Sequence, residues 1–264
     1  METSYSYAPN CSMLFTEVPL LERPQAAKDT GFDAIESWWP FEAPVPGDRE
    51  ADAFVRAVEA AGVQLVSLNF FAGDRAAGER GVVSVPDRSQ EFRDNVDAVV
   101  AIGARLGCDR FNALYGNRSA TFSPEEQDQH AIEELAFAAE AAGRIDGVVL
   151  VEAVSGADAY PLKTADDAVA VIERVEPHAS AVRWLADLYH LAMNGDDVDS
   201  AIARHSPRVG HVQIADAPGR HEPGTGQLPL RDWLEALGSH GYSGWIGLEY
   251  QPAGLTTDSF DNLP

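Results

Sequence analysis

The chain has 264 residues and a formal charge of −23, with 42 acidic side chains against 19 basic ones. That balance opposes binding to nucleic acid, which needs Lys and Arg to displace phosphate counterions, and its ordinary meaning is an acidic, solvated surface. At 45% hydrophobic and 23% charged the composition is that of a globular protein, no apolar run approaches the roughly 18 residues of a membrane span, and residues 1–10 are too polar for a secretory leader. These features predict a cytoplasmic protein with no nucleic-acid or membrane partner. Cys11 and Cys108 make neither a disulfide framework nor a metal spacing, and read as small buried thiols on strands in a reducing compartment.

In chain order, residues 7–15 predict a first strand, and a helical pattern from Pro19 to Thr30 stops at Gly31. Residues 32–36 predict the second strand. Trp38 and Trp39 follow in a loop, where they either wall a pocket or cap the core. A helix over Asp48–Ala61 closes at Gly62, and residues 63–70 predict the third strand. The connection to Pro86, with Gly73, Gly78 and Gly81, exceeds the roughly two to six residues of an ordinary βα link, the sign of a functional lid or a disordered loop. A helix over 87–106 puts Phe92, Val96, Val99, Val100 and Leu106 on one stripe, ahead of a fourth strand over 110–115. Ser123-Pro124-Glu125-Glu126 is a capping box with proline at the first helical position.

The second half has a repeated grammar. Val148–Ala153, bounded by Gly147 and Ser155-Gly156, is an apolar run too short for a helix and reads as a strand buried on both faces. It carries Glu152 at its far end, a costly place for an acid unless something pairs with it. Arg183–Ala186 leads likewise to Asp187, Val209–Val212 to Gln213 and Gly244–Leu248 to Glu249, at intervals of 35, 26 and 36 residues. Each interval is about one βα unit, and helices are expected over Ala165–Val175 (capped by Thr164), around Asp197–His205 and around Pro229–Leu237. The tail after Gly254 is too short and polar for a helix, free to fray or to dock on a second copy in a homo-oligomer. Eight strands alternating with helices, over a length close to the roughly 250 residues typical of the fold, predict one α/β domain spanning 1–264, a (β/α)8 TIM barrel.

In such a barrel the strands' C-terminal ends converge on one face, where active sites lie. Glu152, Asp187, Gln213 and Glu249 would meet there as four hard oxygen donors, three of them acidic, which describes a divalent-cation site. One strand-end carboxylate is usually a helix cap or an arginine's partner; four in register on consecutive strands are harder to explain that way. His190, in Asp187-Leu188-Tyr189-His190, is expected on the loop after its strand, as a substrate ligand or else a structural histidine satisfied by a partner. Arg220 and His221 lie in the loop 216–227 and should overhang the mouth, where a guanidinium fork suits an anionic substrate that the acids would repel. The bland alternative is a surface arginine paired with Glu222. His211 alternates to the side of Gln213 one layer deeper and reads as a core histidine; His130, His178, His205 and His240 read as solvated.

At Ser12–Pro19, Val151-Glu152-Ala153, Asp187–His190, His211–Ala215, Arg220-His221-Glu222-Pro223 and Gly244–Tyr250 the chain resembles the hydroxypyruvate isomerase family. That family lies within the xylose-isomerase-like barrels, beside ketose 3-epimerases and an endonuclease branch. The resemblance runs nearly end to end, and its motifs are specific as a set though weak singly. It implies a divalent metal held by Glu152, Asp187, Gln213 and Glu249, where the related epimerases carry histidine in place of Gln213. It also implies Glu152 and Glu249 as the acid/base pair, with His190 and Arg220 on a small sugar-acid substrate and Arg220 or His221 on its carboxylate. All-oxygen ligation favours Mg²⁺ or Mn²⁺ over Zn²⁺. The implied reaction converts hydroxypyruvate to tartronate semialdehyde through an enediolate, one glutamate removing a proton at C3 and a proton returning at C2. A 2-oxo-tetronate isomerase or a ketose 3-epimerase would use the same site. From other classes, an endonuclease of similar fold would want several histidine ligands and a basic groove, and a non-catalytic sugar-acid-binding barrel would be favoured by a metal-free structure with a blocked mouth.

Overall fold

The computed structural model describes residues 5–175 and 181–264, so His178 lies outside them. The expected barrel is what forms. Strands β1 (Tyr7–Pro9), β2 (Ala34–Ser37), β3 (Gln64–Asn69), β4 (Arg110–Asn112), β5 (Val148–Val151), β6 (Val182–Asp187), β7 (Val209–Ile214) and β8 (Ile246–Leu248) make one parallel sheet in the order β1-β8-β7-β6-β5-β4-β3-β2. A single parallel bridge, Asn10–Glu36, joins the two edge strands and nearly closes the barrel. Around it lie α1 (Arg23–Asp29), α2 (Asp48–Ala61), α3 (Ser89–Leu106), α4 (Pro124–Gly143), α5 (Ala165–Arg174), α6 (Leu188–Asn194), α7 (Val198–His205) and α8 (Leu230–Ser239). No helix among the described residues is long and apolar enough to cross a membrane.

The capping signals translate directly. Ser123 Oγ accepts from the Glu126 backbone N–H at 3.2 Å while the Glu126 carboxylate accepts from Ser123 N–H at 2.8 Å, so two otherwise unpaired donors are satisfied reciprocally. Thr164 and Asp167 repeat the arrangement on α5. On α3, Phe92, Val96 and Val99 are buried against the barrel, with Val100 and Leu106 half-buried at the edge of the stripe.

Several strands are shorter than expected, because the apolar runs continue into buried loops. Ala113, Leu114 and Tyr115 are buried past the end of β4, and Leu14 and Phe15 past the end of β1. Cys11 therefore sits in a turn after β1 and Cys108 in the link before β4, not on strands. Both are buried free thiols, and burial pushes each up to about 12. Three other expectations change. His190 lies on a helix, not a loop: Asp187 caps α6 by accepting from His190 N–H at 2.9 Å, and Gly195 closes it in the left-handed conformation at φ 78°. The tail forms a short 3-10 turn over Thr256–Phe260, with the Phe260 ring 4.7 Å from Phe32 and 5.9 Å from Phe15. His130 and His205 are half-buried beside Glu134 and Asp166, whereas His240 is exposed.

Candidate active site

Parallel pairing aligns Asp187 with Gln213 and Gln213 with Gly247. Glu152 follows β5 by one residue and Glu249 follows β8 by one, so the four expected donors share the C-terminal face. All four are 2–7% exposed. One ligand atom each from Glu152, Asp187 and His190 lies within 4.8 Å of the others.

The positive charge facing these acids is Arg220. Its Nη2 donates to Glu249 Oε1 at 2.8 Å and lies 3.6 Å from Asp187 Oδ2, and its Nε donates to the Glu249 carbonyl at 3.2 Å. Glu222, the bland partner, instead accepts from Ala253 N–H. His221 makes its polar contact on the rim, Nδ1 donating to the Gln251 carbonyl at 2.7 Å, and no described hydrogen bond ties it to the acids.

Burial dominates the electrostatics. It holds the Glu152 carboxyl well above the usual range, reinforced by the charges of Glu249 and Asp187 and opposed by the hydrogen bond from Asn112. It pushes Glu249 up to about 7 against the pull of Arg220. It lowers His190 to about 4 despite Asp187, so the imidazole is neutral. Ser155 N–H donates to His190 Nδ1 at 3.2 Å, which leaves the ring proton on Nε2, 3.6 Å from Asp187 Oδ2. Burial also works against Arg220, but Glu249 and Asp187 outweigh it and raise its pKa.

The cluster of Glu152, Asp187 and His190 could hold a metal ion. Gln213 Nε2 donates to Glu36 Oε1 at 2.7 Å, which directs the amide and leaves Gln213 Oε1 buried with no hydrogen-bond partner among the described residues. Asn112 is similar: Nδ2 donates to Glu152 Oε1 at 2.7 Å and Oδ1 is unpartnered. An orphaned buried carbonyl beside three carboxylates asks for a positive partner.

Sequence reasoning overlooked the supporting side chains from the first half of the barrel. Glu36 accepts from Asn10 Nδ2 at 3.0 Å and Gln213 Nε2, and its Oε2 meets His211 Nε2 at 2.6 Å. His211 is thus the expected core histidine, with a definite partner. Gly247 leaves the room that the Glu36 carboxylate occupies, since a Cβ there would force that carboxylate to shift. The signal that revealed the second-half donors was present in the first half too: Asn10, Glu36, Asn69 and Asn112 are polar residues at or just past strand ends.

The two tryptophans differ in their partners. Trp38 Nε1 donates to Glu249 Oε1 at 3.2 Å, whereas Trp39 donates to the Ala43 carbonyl and packs on Phe41, and both rings line one cavity. That cavity, of about 570 Å³, is also bounded by Asn69 and by the long loop after β3.

Fold and site together define a parallel α/β barrel with a buried, acidic, cation-compatible mouth. The family model described as xylose isomerase-like TIM barrel matches residues 24–263, and the chain belongs to that family. It is 49% identical to a putative hydroxypyruvate isomerase of Streptomyces coelicolor, over 97% of this chain and 94% of that protein. It is 34% identical to a 2-oxo-tetronate isomerase of Cupriavidus necator, over 95% and 94%. Among solved structures, one described as an AP endonuclease, family 2, from Brucella melitensis superimposes with a TM-score of 0.89 at 33% identity, covering 98% of this chain and 97% of that one.

Proposed function

We propose that the protein is a sugar-acid isomerase that moves a carbonyl between adjacent carbons of hydroxypyruvate, giving tartronate semialdehyde. The observation that carries this reading is the pair Glu152 and Glu249, two buried carboxyls held above their usual range at one mouth. A buried carboxyl whose charge is balanced by its neighbours can both take and return a proton, which is what a 1,2 shift needs. Glu152 has one hydrogen bond, from Asn112, and takes the proton from C3; Glu249 returns one at C2. His190 hydrogen-bonds a substrate oxygen through Nε2–H without giving the proton up, and the proton of the C3 hydroxyl passes to the C2 oxygen as the carbonyl moves. Arg220 steadies Glu249 through Nε and Nη2, and its Nη1, which has no partner among the described residues, is open to a substrate hydroxyl or carbonyl oxygen. Glu152, Asp187, Gln213 and Glu249 would hold a divalent cation, Mg²⁺ or Mn²⁺ by donor chemistry, whose contribution when bound is to polarise substrate oxygens.

The 34% identity to a 2-oxo-tetronate isomerase over 95% of this chain favours a four-carbon 2-oxo acid as the second reading. A panel of hydroxypyruvate, four-carbon 2-oxo sugar acids and ketoses, assayed after metal depletion and repletion, tests both. Turnover of a sugar acid restored by the cation is expected. Turnover of ketoses alone, or nicking of abasic DNA without isomerisation, would replace the proposal.

A further inference from the structure

The long loop after β3 brings three arginines toward the mouth, and two are already committed. Arg88 is held by Glu79 at 2.8 Å and by Glu91, and Arg80 donates to the backbone carbonyls of Arg75 and Glu79. The Arg75 guanidinium donates to no atom among the described residues. Its Cζ lies 3.6 Å from the centroid of the Trp38 ring, and it lines the cavity of about 570 Å³. The same indole donates to Glu249 Oε1, so one aromatic ring separates Arg75 from a proposed acid/base group.

A half-buried guanidinium with open donors is a poor resting arrangement unless an anion completes it. The cavity's own acids do not serve: Glu79 is taken by Arg88, and Asp74 accepts from Ala77 N–H. Glu42, which also lines the cavity, is exposed and makes no ion pair among the described residues. Stacking on Trp38 fixes the plane of the guanidinium and leaves its N–H edge for in-plane, bidentate donation. Arg75 feels the acids directly: burial depresses its pKa and the charges of Glu249 and Glu152 oppose that.

We infer that Arg75, stacked on Trp38, is the anchor for the substrate's carboxylate, while Arg220 stays with Glu249 and Asp187. This rests on the sugar-acid reading and names the residue that makes the site prefer acids to neutral sugars. A cavity walled by Trp38, Asn69 and Arg75 then takes a short hydroxy- or oxo-acid lying across the indole, its carboxylate on the loop and its hydroxylated end toward Glu249.

The test is equilibrium binding of two unreactive probes, D-glycerate and its neutral amide glyceramide, to Mn²⁺-loaded wild type, R75Q, R75K and R220Q. Arg75 is on a surface loop, so its variants should fold; circular dichroism checks this. R75Q should bind glycerate at least about tenfold more weakly, the scale of a charge-assisted hydrogen bond, with glyceramide unchanged. R75K should fall between, because a point charge keeps the attraction and loses the fork. Unchanged glycerate binding in R75Q, equal losses for both probes, a loss confined to R220Q, or no glycerate binding to wild type would each overturn the assignment. Isomerase turnover is measured separately, so a wild type that binds glycerate through Arg75 and converts no sugar acid would sink the function and spare the anchor.

Discussion

Glu36 and Glu152 are both buried carboxylates on the inner face of the barrel, and their surroundings differ. Glu36 meets three partners, Asn10, Gln213 and His211, whose geometry saturates its two oxygens. The Glu152 carboxylate has, among the described residues, the Asn112 amide as its partner and faces the like charges of Asp187 and Glu249. A saturated carboxylate is fixed in place and fixes others; an under-coordinated one is available for a cation or a proton. Open hydrogen-bonding capacity marks out Glu152 alone: Glu249 is met by Asn10 Nδ2 at 3.3 Å, Trp38 Nε1 at 3.2 Å and Arg220 Nη2 at 2.8 Å, as fully as Glu36 is, and differs from Glu36 in the charged partner it faces. The two halves of the barrel contribute differently. Buried acids and an amide from β5–β8 meet at the mouth, and Asn10, Glu36 and Asn112 from the first half hydrogen-bond to Glu249, Gln213 and Glu152.

The sharpest way to break this contrast is to remove each reactive carboxylate's charge while keeping an oxygen. Glu152→Gln and Glu249→Gln should each reduce isomerisation by about 10²–10⁴, the usual scale of general acid–base catalysis. They should differ in exchange of the C3 hydrogen with deuterated water, which the variant retaining Glu152 keeps, since removal and return at one carbon needs one base. Metal content measured in both variants separates a lost ion from a lost base. Equal exchange in both metal-loaded variants would end the division of labour.

Arg220→Lys tests the charge that faces the acids. A lysine cannot reproduce donation from Nε and Nη2 to Glu249 at once, and kcat/KM should fall by about 1–3 kcal/mol in transition-state binding. An unchanged kcat/KM would show that Arg220 acts through charge alone.

Glu36→Gln addresses the scaffold. A neutral amide can donate toward Gln213 and release its fixed orientation, so Mn²⁺ affinity by titration calorimetry should drop roughly 10–100-fold, as for other residues that orient a metal ligand. Undiminished affinity would mean that Gln213 does not depend on Glu36.

The smallest effect expected is on the pH dependence of stability. Glu249 is raised from 4.5 to about 7 and Glu152 in the same direction, so the folded, metal-free site binds protons more tightly than the unfolded chain does. The stability this contributes is full below about pH 4.5 and is lost as pH rises through about 7. The Tm of metal-free protein should therefore fall across that window, and saturating Mn²⁺ should flatten the decline. A flat metal-free profile would mean the acids are already neutralised by other means.

The sequence alone determined the number and order of strands, the capping of α2, α4 and α5, and the positions of Glu152, Asp187, Gln213 and Glu249, because these follow from local patterns: apolar runs, caps, and an offset from a strand's end. It also contains the signals for α6, an Asp cap at Asp187 and a Gly close at Gly195, but a strand whose last residue is itself the cap leaves no linker between the two patterns, and the Asp-Leu-Tyr-His stretch has the pattern of a loop. Tertiary structure alone decided which acids are satisfied. Glu36 meets His211 and Gln213 across 175 and 177 residues, and Trp38 meets Glu249 across 211, pairings that exist only once the barrel closes. Nothing local to Arg75 distinguishes it from Arg80 or Arg88; the fold does so by pairing Arg88 with acids, bonding Arg80 to backbone carbonyls and laying Arg75 on an indole. Hydrogen-bond saturation is a property of assembled neighbours, and a pattern along one chain cannot state it.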